Sequence, residues 1–199
     1  SISVALANLL KVPTSTSQST FFSILAIGMF HSAIDFKTVI KVIMFWFILP
    51  LIAYILIFAV FRFFQKLIND FVRKMKYLKL IVIGVGCFVA FSIGSNNVAN
   101  IVGPLMNVAV NKFSFKLLMI FYGLMFGAGA YIFFNRGFMK VAQLSQMDYV
   151  SGTLISFITG GLLLFASFLG VPQSLVQLNV FSILAHKSAV FGFKRSILE

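Results

Sequence analysis

Polar residues gather at three places in an otherwise apolar sequence. The clusters are residues 14–20, residues 95–100, and a third made of Gln173, Ser174, Gln177 and Asn179. Hydroxyl and amide side chains donate hydrogen bonds without carrying charge, which suits a site for an anion. Burying them in hydrocarbon is unfavourable unless they are satisfied, so they should face protein or a water-filled cavity.

Two of these clusters have the pattern of a helix N-terminus. Pro13 precedes Ser15, and Pro172 precedes Ser174, each at the start of an apolar run. Ser is a preferred N-cap residue, and the first N–H groups of a helix have no partner within it. Those groups carry roughly half a positive charge, so the pattern predicts two helix starts able to bind an anion.

The composition requires these clusters to lie in a membrane protein. Of 199 residues, 60% are hydrophobic and 10% are charged, and the mean hydropathy is +1.04. In soluble domains about 45–50% of residues are apolar and about 25% are charged. A soluble enzyme, a secreted disulfide scaffold and a disordered tail are excluded. We predict an all-α, polytopic helical bundle in the cell membrane, with the lipid bilayer as a partner.

The net charge of +12 is also explained if the chain is a membrane protein. The basic residues lie in loops between apolar runs, as in the cytoplasmic loops of membrane proteins. Nucleic acid is therefore not expected as a partner.

Apolar runs predict the helices that position the clusters. We expect a helix end over residues 1–10, a short segment over 17–30, spans over 39–61, 80–110, 115–134 and 149–169, and a last segment over 174–185. A helix over residues 80–110 would be about 46 Å long, too long for a bilayer, so a break is predicted at Gly94–Asn100. Pro50 predicts a kink.

An internal repeat links the first and third clusters. Residues 12–26 and 171–185, which are 159 positions apart, are identical at nine of fifteen positions. The shared polar pattern Pro-x-Ser-x-x-Gln is not a chance agreement among apolar residues, so we infer a duplication. The predicted organisation is 1–61 as part of one repeat half, 62–79 as a basic cytoplasmic loop, and 80–199 as a second, incomplete half.

The charge pattern predicts that the second copy is inverted. With the basic segment 62–79 inside, twelve Lys and Arg residues fall inside and four outside, which obeys the positive-inside rule. Five crossings then separate the two copies, and an odd number reverses the orientation. Inverted repeats are typical of secondary transporters, whose substrate lies near the midplane between the repeats.

These motifs resemble the inorganic phosphate transporter family, which includes a sulfate permease branch. The family pattern Gly-Ala-Asn-Asp-x-x-Asn is matched by Gly94–Asn100, followed by Gly103-Pro104-Leu105. The pattern Pro-Val-Ser-Thr-Thr-His is matched by residues 13–18 and, more loosely, by 172–177. The resemblance implies two inverted halves, broken or re-entrant helices, and uptake of phosphate with Na+ or H+. Only one copy of the first pattern is present, so we expect a piece of a longer protein, with the other copy before Ser1.

Three residues depart from the family patterns. Asn97 stands where the family has Asp, and Gln18 and Gln177 stand where it has His. A carboxylate can accept the proton of hydrogen phosphate, whereas sulfate has no proton to give. Asn97 therefore favours sulfate and puts cation coupling through this half in question.

We predict a symporter of inorganic phosphate, with a sulfate permease as the alternative, and neither an enzyme nor a protein with a cofactor. The expected substrate-binding residues are Ser15, Thr16, Ser17, Gln18, Asn96, Asn97, Asn100, Ser174 and Gln177. A coupling Na+ near the three Asn residues, coupling to H+ instead, and a homo-oligomeric assembly are left open. The rival classes are an anion channel, a membrane-embedded enzyme and a non-transporting subunit.

Overall fold

The described part of the chain is helical. The computed structural model describes Leu6 and residues 15–32, 34–73, 77–103, 112–144 and 147–192, without the side chains of 65–73, 99, 101, 112–114 and 133–144. These residues form six helices: α1 (Thr16–Phe30), α2 (Phe36–Arg73), α3 (Leu78–Val102), α4 (Lys112–Leu144), α5 (Tyr149–Phe168) and α6 (Leu175–Phe191).

Four of these helices are long and apolar enough to cross a membrane. The spanning segments are Phe36–Phe64, Leu78–Val98, Phe115–Ile132 and Tyr149–Phe168. Helices α1 and α6, of 15 and 17 residues, are only about 22 and 26 Å long, shorter than the ~30 Å hydrocarbon core. The prediction of a multi-pass, all-α membrane protein is confirmed.

The predicted break at Gly94–Asn100 is wrong. Helix α3 continues through this segment to Val102 and ends at Gly103, directly before Pro104. A proline disfavours helical geometry in the residue before it, which explains the end of the helix. The polar side chains need no break, because they find partners on neighbouring helices. The rest of the predicted span, 104–110, lies outside the described residues.

Helix α2 is longer than the apolar pattern predicts. It continues as far as Arg73, so residues 62–73 of the predicted basic loop are helical. This segment contains neither Gly nor Pro, and its Lys, Arg, Gln and Leu residues favour helix once the chain leaves the hydrocarbon. Pro50 lies inside the helix. The assignment of the flanking segments to two repeat halves stays a prediction.

The core lies between α2, α5 and α6. On α2, the Trp46 indole N–H donates to the Pro172 carbonyl at 2.7 Å, and Phe61 contacts the His186 ring at 4.4 Å between centroids. The two contacts occur in the same order along both segments, so α2 and α6 are parallel. Helix α5 runs the other way, because its Ile155 packs in one buried cluster with Phe61 near the far end of α2.

Helix α3 packs along α5 in the same direction. Phe88 contacts Phe157 near one end, and Asn96 contacts Ser167 near the other. The helices approach closely at Gly160, where an added Cβ would lie 3.0 Å from a methyl group of Val89. This close approach brings the polar end of α3 against α5.

Helix α1 runs antiparallel to α2. Phe21 and Phe22 lie against Trp46, with ring centroids 5.2 and 5.6 Å away. If the helices were parallel, Phe30 and Phe36 would be separated by about 27 Å along the axis. The six residue-to-residue steps from position 30 to position 36 reach at most about 22 Å, which excludes that arrangement. Since α6 is parallel to α2, α1 and α6 point in opposite directions.

Both short helices begin near the middle of the long span. Pro172, just before α6, lies beside Trp46, which is about 15 Å from the Phe36 end of a 29-residue span. Thr16 precedes Phe21 by five residues, which places the start of α1 about 7 Å deeper than Trp46. With this span centred in a ~30 Å hydrocarbon core, both helix starts lie inside it.

Candidate anion-binding site

The two helix starts have the same local geometry. Ser15 caps α1 with φ −88° and ψ 116°, and its side chain accepts a hydrogen bond from the Gln18 N–H. Ser174 caps α6 with φ −85° and ψ 111°, and accepts in the same way from the Gln177 N–H. The prediction of a helix start at each copy of the repeat is confirmed.

At the start of α1, a buried polar chain connects three helices. The Ser17 hydroxyl, 4% exposed, donates to Asn96 Oδ1 at 3.2 Å and accepts from Asn100 Nδ2 at 3.4 Å. Asn96, 3% exposed, in turn donates through Nδ2 to Ser167 Oγ of α5 at 3.2 Å. Ser167 donates to the Leu163 carbonyl at 3.0 Å. Ser17 and Asn96 are thus held by protein partners on both sides.

A second pair of side chains lies at the accessible edge of this chain. Thr16 is exposed and Asn97 half-buried, and the Thr16 hydroxyl donates to Asn97 Oδ1 at 3.4 Å. A hydrogen bond of this length is weak. Thr16 and Asn97 thus lie at the accessible edge, whereas Ser17 and Asn96 are held between the helices.

The start of α6 has a different environment. Ser174 and Gln173 are each 1% exposed, and the carbonyl before them, that of Pro172, is held by Trp46. Neither polar atom of the Gln173 side chain, nor Gln177 Oε1, has a hydrogen-bond partner among the described residues. The start of α6 is therefore buried in the protein, but several polar side-chain atoms there have no hydrogen-bond partner in the part of the chain that the structure describes.

The structure brings together only part of the predicted site. Thr16, Ser17, Asn96, Asn97 and Asn100 form one cluster. In the described part of the chain, no hydrogen bond joins Ser174 or Gln177 to that cluster. Pro13 and Thr14 lie outside the described residues.

Isolated hydroxyls elsewhere in the helices bond to their own backbone. Ser23 donates to the Ser19 carbonyl at 2.8 Å, and Ser92 donates to the Phe88 carbonyl at 2.9 Å. This is the usual behaviour of Ser in a membrane helix and assigns them no role in binding. Thr16 and Ser17 differ from these residues because they bond to side chains of another helix, α3.

Sequence analysis missed two residues that organise the site. Ser167 lies within an apolar run, and nothing in its spacing indicates that it receives a hydrogen bond from Asn96. Trp46 is the single tryptophan of the chain, and this residue type often finds a partner for its N–H when buried. That signal could have indicated a contact, but not that Pro172 provides it.

The described carboxylates lie in turns, away from the two helix starts. The carboxylates whose side chains are described, Asp35 and Asp148, lie in the turns before α2 and α5. Asp35 accepts from the Thr38 hydroxyl at 2.6 Å and from the Lys37 N–H at 3.0 Å, and these bonds lower the pKa of Asp35. No group of three or more His, Cys, Asp or Glu residues that could hold a metal occurs among the described residues.

Two known proteins are similar to this chain in sequence. The sulfate permease CysP of Bacillus subtilis is 30% identical over 188 residues, which make up 92% of this chain and 52% of that protein. A provisionally named phosphate permease of Methanocaldococcus jannaschii is 23% identical over 175 residues, 87% of this chain and 56% of that protein. The chain therefore spans about half the length of the curated relatives it matches. No solved structure gives a significant match.

A family-wide comparison agrees with the motifs. The sequence profile of the phosphate transporter family matches residues 1–82 and 68–191, two overlapping segments that include all three polar clusters. The resemblance inferred from Gly94–Asn100 and from the repeated Pro-x-Ser-x-x-Gln pattern is confirmed. The chain belongs to the phosphate transporter family.

Proposed function

We propose that this protein takes part in the secondary transport of a tetrahedral oxyanion, inorganic phosphate or sulfate, across the membrane. The observation that carries the proposal is the start of α1. There, a helix N-terminus at mid-membrane depth is surrounded by the neutral hydroxyl and amide groups of Thr16, Ser17, Asn96, Asn97 and Asn100. Membership of a transporter family supports the same function.

The site chemistry suits an oxyanion. The capping bond uses the Ser15 hydroxyl as an acceptor, which leaves its O–H able to donate to a ligand. Thr16 and the Asn97 amide add neutral donors, and the unpaired N–H groups of the first turn of α1 add a partial positive charge. In this proposal, the bond from the Gln18 N–H to Ser15 closes the first turn of α1, which presents these donors to the ion.

Opposed helix starts provide a route to alternating access. Because α1 and α6 point in opposite directions from similar depths, movement of one repeat against the other would expose a bound ion first to one side and then to the other. Ser174 and Gln177 would complete the ion's contacts on the α6 side. A coupling cation, Na+ or H+, is part of the proposal; amide oxygens of Asn96, Asn97 and Asn100 are the groups that would hold Na+.

Phosphate is the substrate in the family's name, and sulfate is the second candidate. Asn97 favours sulfate. The family pattern has a carboxylate at this position, which can accept the proton of hydrogen phosphate, whereas sulfate has no proton to donate. The 30% identity to a sulfate permease supports the same choice. A channel is less well supported, because no continuous row of polar side chains follows any span within the described residues.

Uptake of radiolabelled phosphate and sulfate by the intact protein in liposomes tests the proposal. We expect saturable uptake that depends on a Na+ or H+ gradient, with KM raised about tenfold by Asn97→Ala. Ser92→Ala is the matched control, because Ser92 lies on the same helix and bonds only to its own backbone. Absence of uptake of both anions, or uptake unchanged by both Ser15→Ala and Asn97→Ala, would contradict the proposal.

A further inference from the structure

The Gln173 side chain is buried without a partner. It is 1% exposed, and neither its amide nitrogen nor its amide oxygen is hydrogen-bonded among the described residues. Gln177, one turn into α6, has an unpartnered buried amide oxygen as well. An unsatisfied buried polar group is destabilising. A group that binds and releases a ligand must tolerate this state when the ligand is absent.

The burial of Gln173 limits what can satisfy it. Because the amide is so fully enclosed, a partner from outside the protein must be small, such as an ion or a water molecule. Gln173 directly precedes the N-cap of a 17-residue helix, where the first-turn N–H groups attract negative charge. Lys41 Nζ donates to the Leu169 carbonyl at 2.9 Å, in the turn before α6. The Gln173 amide nitrogen and the first-turn N–H groups are thus donors for an anion, whereas the two amide oxygens need a donor such as water.

The internal repeat provides an independent argument. Thr16 and Ser17 of the first copy correspond to Leu175 and Val176 of the second, so two hydroxyls have been lost there. At the position of Thr14, the second copy has Gln173 instead. The second copy has thus lost the donors after its cap and has a longer donor directly before it.

We propose that Gln173 is a binding residue for the transported oxyanion, donating an N–H of its amide to an oxygen of the ion at the start of α6. This inference rests on the proposed function and extends it to a residue that the repeated motif does not predict. It assigns to the second repeat copy a direct role in binding, equivalent to that of the hydroxyls at the start of α1.

Gln173→Leu in the intact protein tests the inference, with Ser182→Ala as the matched control. Ser182 lies on the same helix and is also fully buried with an unpartnered hydroxyl, but it is two turns from the helix start. We expect Gln173→Leu to keep or raise the Tm measured without anion, because a buried unsatisfied amide is removed. It should lose the Tm increase that sulfate or phosphate produces, and its KM should rise about tenfold. Ser182→Ala should keep the anion-induced increase and the wild-type KM.

The outcomes separate the inference from the proposed function. If the wild-type protein is neither stabilised by either anion nor able to transport it, the proposed function fails and the inference fails with it. If the wild type transports and Gln173→Leu has the same KM and the same anion-induced Tm increase, the inference alone is wrong. A lower Tm without anion and an intact anion effect would identify a purely structural role and also overturn it.

A second variant guards against misfolding. Gln173→Glu preserves the shape of the side chain and replaces a neutral donor with a carboxylate that repels a doubly negative ion. We expect it to abolish sulfate uptake at neutral pH and to leave some phosphate uptake, because hydrogen phosphate can share its proton with the carboxylate. Unchanged sulfate uptake by a correctly folded Gln173→Glu protein would overturn the inference.

Discussion

The two helix starts share their sequence pattern and their capping geometry but not their surroundings. At α1, the hydroxyl of Ser17 meets the amide of Asn96, which reaches on to Ser167 of a third helix. At α6, Trp46 holds the preceding turn, and the amide of Gln173 meets nothing within the described chain. Local sequence thus determines the cap, whereas tertiary packing determines whether the polar groups around it are satisfied.

This difference suggests a division of labour. The start of α1 is pre-organised, because the hydrogen bonds of Ser17 and Asn96 fix the helices that carry Thr16 and Asn97 before any ion arrives. Groups fixed in advance need not be ordered at the moment of binding, which favours affinity. Among the described residues, the start of α6 keeps one unsatisfied amide donor, Gln173 Nε2, which a ligand could satisfy.

The largest effect on stability and uptake should come from disrupting the hydrogen-bonded chain at the start of α1. Asn96→Leu removes both the acceptor of Ser17 and the donor to Ser167, leaving the buried Ser17 O–H without its acceptor. We expect the free energy of unfolding to fall by about 1–3 kcal/mol and uptake to be nearly abolished. Thermal unfolding in detergent and liposome uptake measure the two effects.

Ser92→Ala controls for the loss of a buried polar group on α3. Ser92 is one turn before Asn96 and fully buried, but it bonds to its own helix, so uptake should remain at the wild-type level. If Asn96→Leu folded and transported as well as Ser92→Ala, the polar chain would have no part in positioning the site.

A smaller effect should separate capping from ligand binding. Ser15→Ala and Ser174→Ala should each lower the free energy of unfolding by about 1 kcal/mol, and the Gly variants by only a few tenths. Ser15→Gly keeps most of the cap but loses the hydroxyl donor, so KM should still rise. Ser174→Gly should raise KM for the same reason. Equal transport by wild type and Ser15→Gly would restrict Ser15 to capping.

The smallest effect should occur outside the membrane, in the turn between α1 and α2. The Thr38 hydroxyl and the Lys37 N–H lower the pKa of Asp35 in the folded state. The resulting stabilisation is present above the unfolded-state pKa and is lost as the pH falls through the folded-state value, below about pH 4. Thr38→Val should raise the pKa of Asp35, as measured by NMR titration of the carboxyl, without changing uptake at neutral pH. An unchanged titration would show that the Thr38 bond is absent in solution.

Much of the helical framework could be predicted because composition and capping residues act locally. The run of apolar residues and the Pro-x-Ser pattern placed the starts of α1 and α6 within a residue of Thr16 and Leu175. The break predicted at Gly94–Asn100 failed, because a run of polar residues looks the same whether it ends a helix or faces other helices. Only the positions of Ser17 and Ser167 in three dimensions distinguish the two.

The pairing of polar groups was not predictable for the same reason. Ser167 and Trp46 lie in segments whose spacing indicates only membrane helix, and their partners are more than 70 residues away in the chain. The difference in hydrogen bonding between the two helix starts is therefore a property of packing. The sequence did indicate that the two starts would differ, because the second copy has apolar residues where the first has hydroxyls.

Protection of a cysteine at the start of α1 tests the central claim most directly. In a Cys87→Ala background, Thr16→Cys should react with a small thiol reagent, because residue 16 is exposed, and sulfate or phosphate should slow that reaction while chloride does not. Thr20→Cys, one turn further along the same helix, should show no protection. Labelling of Thr16→Cys that stays the same at anion concentrations saturating transport would contradict an anion site at this helix start.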